Sequence, residues 1–174
     1  SISERRAPTA GRASEAEQMD ETEWSAYRNR IATVARIGSE EFGLTVGIHA
    51  HAAGFMDFEP ELNRLLDEVA ESILKICFDT GHHSYAGFDP VEFMKQNINR
   101  ISYMHFKDIN PKVKAQVVEN RTDFYAACGQ GIFCNLGDGD VDFPTVRQLL
   151  LENNFNGWCT VEQDCDPEGD TSPI

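Results

Sequence analysis

The stretch of sequence that decides the fold is LKICFDTGHHSYAGFDPVEFMKQN, residues 74–97. Its first residues form an apolar run, LKICF, of the kind found in strands buried within a parallel sheet. The run stops abruptly at Asp79, and a loop then leads to Pro90. Proline suits the first turn of a helix because its missing N–H costs nothing there, and apolar spacing predicts a helix from Pro90 to Asn97. A strand, a loop and a helix in this order indicate an α/β protein.

The same unit recurs along the chain. Three further apolar runs each precede a residue that can bind a metal, and we predict that they are parallel strands: LTVGI before His49, ISYM before His105 and WCTV before Glu162. Helical spacing predicts helices over four further stretches: Glu21 to Phe42, Pro60 to Ser72, Val113 to Glu119 and Pro144 to Asn153.

Composition limits the classes of protein to which the chain can belong. Its 174 residues are 41% hydrophobic, which is enough for one buried core. A formal net charge of −14, without any cluster of Lys or Arg, argues against nucleic-acid binding. No apolar stretch is long enough to cross a membrane, and the polar N-terminus lacks the apolar region of a signal peptide, so we expect a cytoplasmic protein.

Two segments fall outside the repeating unit. Residues 1–20 show no periodicity, and we expect a mobile arm or a loop remnant there, followed by a single domain over residues 21–174. The segment 111–137 contains a Gly-rich stretch that predicts a long loop covering a site. The cysteines are odd in number and form no CxxC pair, so we interpret them as reduced thiols: Cys77, Cys128, Cys134, Cys159 and Cys165.

The strand ends predict a metal site. In α/β sheets and barrels the chemistry gathers at the carboxyl ends of the strands, and all five histidines lie at or just past such ends. Imidazole together with carboxylate suits a divalent transition metal such as Mn²⁺, Co²⁺ or Zn²⁺, whereas Mg²⁺ would need fewer imidazoles. Such an ion polarises a carbonyl oxygen while a nearby base removes the adjacent proton, which is the chemistry of isomerases, epimerases and dehydratases.

Each candidate residue also has a purely structural interpretation. Asp79 could cap a helix, His105 could be a neutral core histidine, and Glu162 could be an exposed loop carboxylate. His49 and His51 face the same side of an extended chain and could reach one site, or they could be ordinary polar loop residues.

The loop GDGDVDFP, residues 137–144, carries three alternating aspartates, Asp138, Asp140 and Asp142. It superficially resembles a calcium loop but lacks the twelve-residue pattern with a closing Glu. We therefore predict a turn that leads into the Pro144 helix, with Gly137 and Gly139 supplying unusual backbone angles.

Five segments together resemble a known family: HAHAAGFMDFEPELNRLL, FDTGHHSYAGFDPVEF, ISYMHFKDINPKV, FCNLGDGDVDFPTV and GWCTVEQDCDP. They are similar, in the same order and spacing, to the inosose dehydratases of the xylose-isomerase-like barrel superfamily. The resemblance implies a (β/α)8 TIM barrel and dehydration of 2-keto-myo-inositol (scyllo-inosose), a small polyhydroxylated ketone. It also implies Mn²⁺ or Co²⁺ as the ion, with Zn²⁺ or Mg²⁺ as alternatives.

The resemblance further implies roles for individual residues. Asp79, His105 and Glu162 match metal-binding positions, and Asp57 supplies the fourth ligand, with His51 as the competing choice. Glu162 and Asp57 are also the expected acid and base. His82 and Lys107 match positions that contact substrate or assist proton transfer.

A complete barrel needs about 250 residues, so the resemblance covers only its C-terminal part, about four to five βα units. An open sheet edge would then be completed by another chain or by a homo-oligomer. Two other functions remain open: a sugar isomerase or epimerase like the hydroxypyruvate isomerases, and a truncated non-catalytic chain that acts through its exposed sheet edge. A nuclease like endonuclease IV is disfavoured by the acidic charge.

Overall fold

A computed structural model describes residues 10–164 of the chain. Its centre is a parallel sheet of four strands: β1 (Gly47–His49), β2 (Lys75–Asp79), β3 (Ile101–Phe106) and β6 (Trp158–Val161). Two short strands, β4 (Asp108–Ile109) and β5 (Phe133–Cys134), form a separate antiparallel ribbon. The helices are α1 (Glu21–Arg36), α2 (Glu59–Glu68), α3 (Thr80–Tyr85), α4 (Pro90–Asn97), α5 (Pro111–Asn120), α6 (Phe124–Gly129) and α7 (Phe143–Glu152).

The sheet order is β1-β2-β3-β6, with every neighbouring pair parallel. Each parallel connection must cross over through a helix, and this requirement explains the alternation read from the sequence. The α/β class and the partial TIM barrel are therefore confirmed, with four parallel strands in the described part of the chain. The N-terminal and C-terminal strands of the sheet, β1 and β6, each have one neighbour only among the described residues, and Trp158 at the β6 edge is 83% exposed.

The sequence signals for the helices act as expected. Proline lies in the first turn of α2, α4, α5 and α7. An aspartate or asparagine caps six of the described helices by accepting backbone N–H groups: Asp20 for α1, Asp79 for α3, Asp89 for α4, Asn110 for α5, Asp123 for α6 and Asp142 for α7. Such caps satisfy donors that the first turn leaves unpaired. Among the described residues, no helix combines the length and the apolar character that membrane crossing needs.

The apolar side of the sheet packs against the helices. Phe78 of β2 stacks on Phe93 of α4, with ring centroids 5.0 Å apart and planes inclined by 15°. Both rings belong to a core that also contains Met104 of β3 and Val146 of α7. Because neighbouring residues of a strand point to opposite faces, the burial of Phe78 and Met104 directs Asp79 and His105 to the other side.

Three expectations need correction. The described part of the first segment, residues 10–20, contacts the rest of the domain at its start, where Ala10 is buried and the Gly11 N–H donates to the Tyr85 carbonyl. The first strand begins at Gly47 instead of Leu44, which is exposed. The segment 111–137 contains the predicted helix as α5, but the rest of it is not one long loop: it also contains α6 and β5, because apolar residues such as Phe124 and Ile132 lie in the core.

Candidate metal centre

Four potential metal ligands meet where the strands end. His49 and Asp79 are the last residues of β1 and β2, His105 lies one residue before the end of β3, and Glu162 follows β6 directly. The register pairs Asp79 with His105, so these side chains begin from adjacent points of the sheet. One ligand atom from each of the four residues lies within 4.8 Å of all the others.

The individual distances define a small cavity around the Asp79 carboxylate. Its Oδ2 atom lies 3.6 Å from His49 Nε2 and 3.6 Å from His105 Nδ1. His105 Nδ1 also lies 2.5 Å from Glu162 Oε2. These four atoms are all buried, and none has a hydrogen-bond partner among the described residues. Buried polar atoms without partners are costly, so their convergence on one point indicates a place for a cation.

The donor set fits a divalent metal. In their neutral form two imidazoles would contribute nitrogen lone pairs, and two carboxylates would contribute oxygen and two negative charges, a mixture that suits Mn²⁺, Co²⁺ or Zn²⁺. Burial by itself would raise the pKa of Asp79, but contacts with His105 and His49 and the positive charge of Lys107 hold that pKa well below its ordinary value. Asp79 is therefore a carboxylate at neutral pH, as metal binding requires.

Asp79, the first residue of the DTGHH segment, both caps helix α3 and belongs to the candidate metal centre. Asp79 Oδ1 accepts the His82 N–H at 2.8 Å and caps α3, while Oδ2 faces the other ligands. The two interpretations of Asp79, as a cap and as a ligand, are thus compatible because each uses a different oxygen. The missed helix α3 explains why His82 and His83 diverge: consecutive residues of a helix point about 100° apart.

Lys107 lies beside this centre as a fully buried ammonium. Its Nζ is 2.8 Å from Asp164 Oδ2, 3.0 Å from His82 Nε2, 3.5 Å from Asp79 Oδ2 and 3.7 Å from Glu162 Oε2. Burial acts to lower the pKa of Lys107, but the three carboxylates outweigh it and the pKa is raised. The pKa of His82 is lowered well below its usual value, first by burial and also by the Lys107 charge, so His82 is neutral and accepts from the ammonium.

Two neighbours fix the position of Lys107. The Thr80 hydroxyl donates to the Lys107 carbonyl at 2.7 Å and accepts the Lys107 N–H at 3.0 Å. A Cβ atom on Gly81 would come within 2.6 Å of Lys107 Cγ, so only glycine leaves room for the lysine stem. The DTGHH segment and the lysine of HFKD therefore depend on each other.

A second group of potential ligands lies beside the lysine, two of its members in contact with Lys107 Nζ. Single ligand atoms of His51, His82 and Asp164 lie within 4.8 Å of one another. The rings of His51 and His82 have centroids 3.9 Å apart, and Phe124 of α6 contacts both. The segment predicted to cover a site does reach this group.

Some predicted residues are placed elsewhere. Asp57 lies outside both groups: it is buried in the turn before α2, where its Oδ2 accepts the Ala53 N–H at 3.0 Å. The fourth position of the first group is instead taken by His49, which the sequence marked as the end residue of a strand. His83 packs among Phe78, Phe88 and Phe93 in the core, and burial lowers its pKa to about 4.

The aspartate-rich loop is a turn, as predicted, but Gly139 lacks the unusual backbone angle expected of it; a Cβ at Gly139 would instead collide with Asp108 Oδ1. Asp108 is completely buried, and its two oxygens accept the N–H groups of Ile109, Gly137, Gly139 and Val141 at 2.8–3.1 Å. Asp142 caps α7, and Gly137 has a positive φ of 92°. In the described residues, Asp138, Asp140 and Asp142 do not join a group of potential metal ligands.

Comparison with known proteins agrees with this architecture. Residues 7–173 match the family described as "Xylose isomerase-like TIM barrel". Curated relatives include inosose dehydratases from Clostridium botulinum (strain Alaska E43 / Type E3), 31% identical over 148 residues, and from Geobacillus kaustophilus (strain HTA426), 32% identical over 151 residues. These alignments cover 85% and 87% of this chain but 49% of each relative, so the chain spans about half their length.

Solved structures give the same result. The probable 3-DHS dehydratase AsbF of Bacillus anthracis is 25% identical, with a TM-score of 0.69 over 88% of this chain and 53% of that one. The IOLI protein, whose crystal structure has a bound zinc atom, is 17% identical, with a TM-score of 0.62 over 87% of this chain and 51% of that one. The latter likeness concerns the fold alone.

Proposed function

We propose a function from the premise that this chain belongs to the xylose isomerase-like TIM-barrel family. The function is the dehydration of 2-keto-myo-inositol (scyllo-inosose), or a closely related polyhydroxylated cyclic ketone, in inositol catabolism with the help of a divalent metal. The observation that carries this proposal is the convergence of four buried, unpartnered ligand atoms at the strand ends. The relatives named inosose dehydratase supply the reaction and the substrate.

The metal would be held by His49, Asp79, His105 and Glu162. We propose Mn²⁺ or Co²⁺, with Zn²⁺ as the alternative suggested by the zinc-containing neighbour and Mg²⁺ disfavoured by the two imidazoles. When bound, such an ion polarises the ketone oxygen of a substrate and so makes the adjacent C–H more acidic.

We assign the removal of that proton to Glu162. Among the four residues it has the most exposed side chain, 35% against 0% for Asp79, so a substrate carbon can approach it. The Lys107 ammonium lies 3.7 Å from Glu162 Oε2 on the same side of the site. Elimination is complete when the C–O bond on the next carbon breaks and the departing hydroxide gains a proton to leave as water.

We assign delivery of that second proton to His51. His51 is exposed and can meet a substrate, whereas His82 and Lys107 are buried. His82 holds the His51 ring through their close contact, and Lys107 holds His82. His82 and Lys107 therefore act as positioning residues. We assign no acid or base role to Asp57, because its carboxylate accepts the Ala53 N–H in a turn.

The active assembly has to close the sheet. Within residues 10–164, β1 and β6 each have one unpaired edge with free backbone donors and acceptors, and large apolar side chains such as Trp158 and Val161 are exposed at β6. We propose that four further strands, from another chain or another copy, complete an eight-stranded barrel. Four cysteines of the described residues are free thiols, while Cys165 lies outside that range, and we propose a reducing cytoplasmic location.

An assay with scyllo-inosose tests the proposal. The chain is freed of metal, reloaded with Mn²⁺ or Co²⁺ and mixed with scyllo-inosose. We expect the substrate to lose water and form the corresponding dione, which mass spectrometry detects. Glu162→Gln should reduce kcat by at least about 100-fold, as expected for loss of a general base. Glu152→Gln, at the exposed end of α7, is the matched control and should keep full activity. Isomerisation without loss of water would favour a sugar isomerase or epimerase, and no turnover by the loaded chain would contradict the proposal.

A further inference from the structure

The Lys107 ammonium contacts two members of a group of potential metal ligands. His51, His82 and Asp164 offer two imidazole nitrogens and one carboxylate oxygen within 4.8 Å of one another. Lys107 Nζ lies 3.0 Å from His82 Nε2 and 2.8 Å from Asp164 Oδ2. A lysine ammonium can donate three hydrogen bonds, and the third direction is available toward Asp79 and Glu162, 3.5 and 3.7 Å away.

The negative charges around the two ligand groups are neutralised only when the Lys107 ammonium is included. Three carboxylates face this region, namely Asp79, Glu162 and Asp164. One divalent ion at the first group and one ammonium neutralise them completely. A second divalent ion added to that ammonium would leave an excess of positive charge in a buried space, which is costly.

The lysine is also held too firmly to move aside. It is completely buried, its backbone exchanges two hydrogen bonds with Thr80, and its stem fills the space that Gly81 leaves open. Its ammonium lies 4.9 Å from the centre of the Phe133 ring, which closes the side toward the β4–β5 ribbon. A cation fixed in this way occupies its place permanently, unlike an ion that exchanges with solvent.

We propose that Lys107 fills a latent second metal site made by His51, His82 and Asp164, and that it thereby limits the centre to one metal ion. The proposal rests on the first metal site of the proposed function. The Lys107 ammonium takes the place of a second metal ion. Ligands for that ion are present, but the lysine side chain prevents a binuclear centre from forming.

Metal stoichiometry tests this proposal. The wild-type chain, Lys107→Ala and Lys107→Met are equilibrated with excess Co²⁺, dialysed and measured for bound cobalt by elemental analysis and visible absorption. We expect about one ion for the wild type and about two for Lys107→Ala, because alanine vacates the position while both ligand groups remain. Lys107→Met removes the charge but keeps the volume, so it is the matched control and should bind about one ion.

A further variant confirms which residues hold the added ion. Combining Lys107→Ala with Asp164→Ala should return the stoichiometry to about one. Should Lys107→Ala fail to fold, the wild type still decides, because about two cobalt ions in the wild type would overturn the proposal. One ion in a folded Lys107→Ala variant would overturn the latent site while leaving the first metal site intact. No bound cobalt in the wild type would overturn both the latent site and the proposed function.

Discussion

Two buried aspartates, Asp79 and Asp108, have opposite surroundings. Both oxygens of Asp108 accept backbone N–H groups, four in total, which come from the β4 strand and the loop 137–141. Asp79 gives one oxygen to the α3 cap and turns the other toward imidazoles and a carboxylate, where it has no hydrogen bond in the described part of the chain. A buried carboxylate whose two oxygens accept backbone N–H groups builds a loop, whereas one that turns an oxygen without a hydrogen bond toward other potential ligands prepares a site for a cation.

The largest expected effect comes from removing the satisfied carboxylate. Asp108→Ala leaves four N–H groups without their acceptor, and we expect a loss of about 3 kcal/mol or more in the free energy of unfolding. Urea denaturation measures this change. Asp138→Ala, an exposed aspartate of the same loop, is the control and should cost little. An Asp108→Ala variant as stable as the control would show that these hydrogen bonds do not organise the loop.

The next effect separates capping from metal binding. Asp79→Asn keeps an oxygen for the α3 cap but removes the charge, so we expect at least about a 100-fold loss of Mn²⁺ affinity. Asp89→Asn is a matched control, because Asp89 also caps a helix but lies outside both ligand groups. Calorimetric titration compares the two variants. Equal Mn²⁺ affinity in both would mean that Asp79 is only a cap.

Gly81→Ala should have a smaller effect, a loss of stability caused by crowding of the Lys107 side chain. The new Cβ would meet the Lys107 stem at 2.6–2.9 Å, so we expect a loss of about 2 kcal/mol in unfolding free energy. Gly131→Ala is the control: Gly131 has a φ of 76° with no atom near its Cβ position, so it reports the backbone cost alone, about 1 kcal/mol. A Gly81→Ala variant that is more stable than Gly131→Ala would contradict the close packing of Lys107.

The smallest effect concerns the residue that the sequence favoured as fourth ligand. Asp57→Asn should lower stability by about 1 kcal/mol through its contact with the Ala53 N–H, and it should leave metal affinity unchanged. His49→Ala should instead weaken Mn²⁺ binding strongly, since it removes one of the four converging atoms. If Asp57→Asn weakened Mn²⁺ binding as much as His49→Ala does, the assignment of the fourth ligand would be reversed.

The sequence predicted the elements whose signals are local. Proline and aspartate mark the starts of α4 and α7, and apolar runs mark β2, β3 and β6, so their positions follow from short-range rules. Placing Asp79, His105 and Glu162 together required only the rule that parallel strands end at one edge.

The remaining features depend on contacts between distant segments. For the fourth ligand the resemblance offered Asp57 or His51, and the fold instead brings His49 to that position, while Asp57 is held in a turn where Ala53 has a positive φ of 63°, a conformation that no local signal announces for alanine. The divergence of His82 and His83 depends on the single-turn helix α3, which is too short to show periodicity. The four donors of Asp108 come from residues up to 33 positions away. Only the folded chain brings these groups together.

The coordination of the bound metal tests the central claim most directly, and X-ray absorption spectroscopy of the zinc-loaded chain measures it. If the metal binds at the strand ends, the zinc should have two imidazole nitrogens, from His49 and His105, together with carboxylate oxygens at about 2.0–2.2 Å and no sulfur ligand. A single imidazole would indicate that a carboxylate such as Asp57 replaces His49. A spectrum without imidazole, or with a sulfur ligand, would contradict the site at the strand ends.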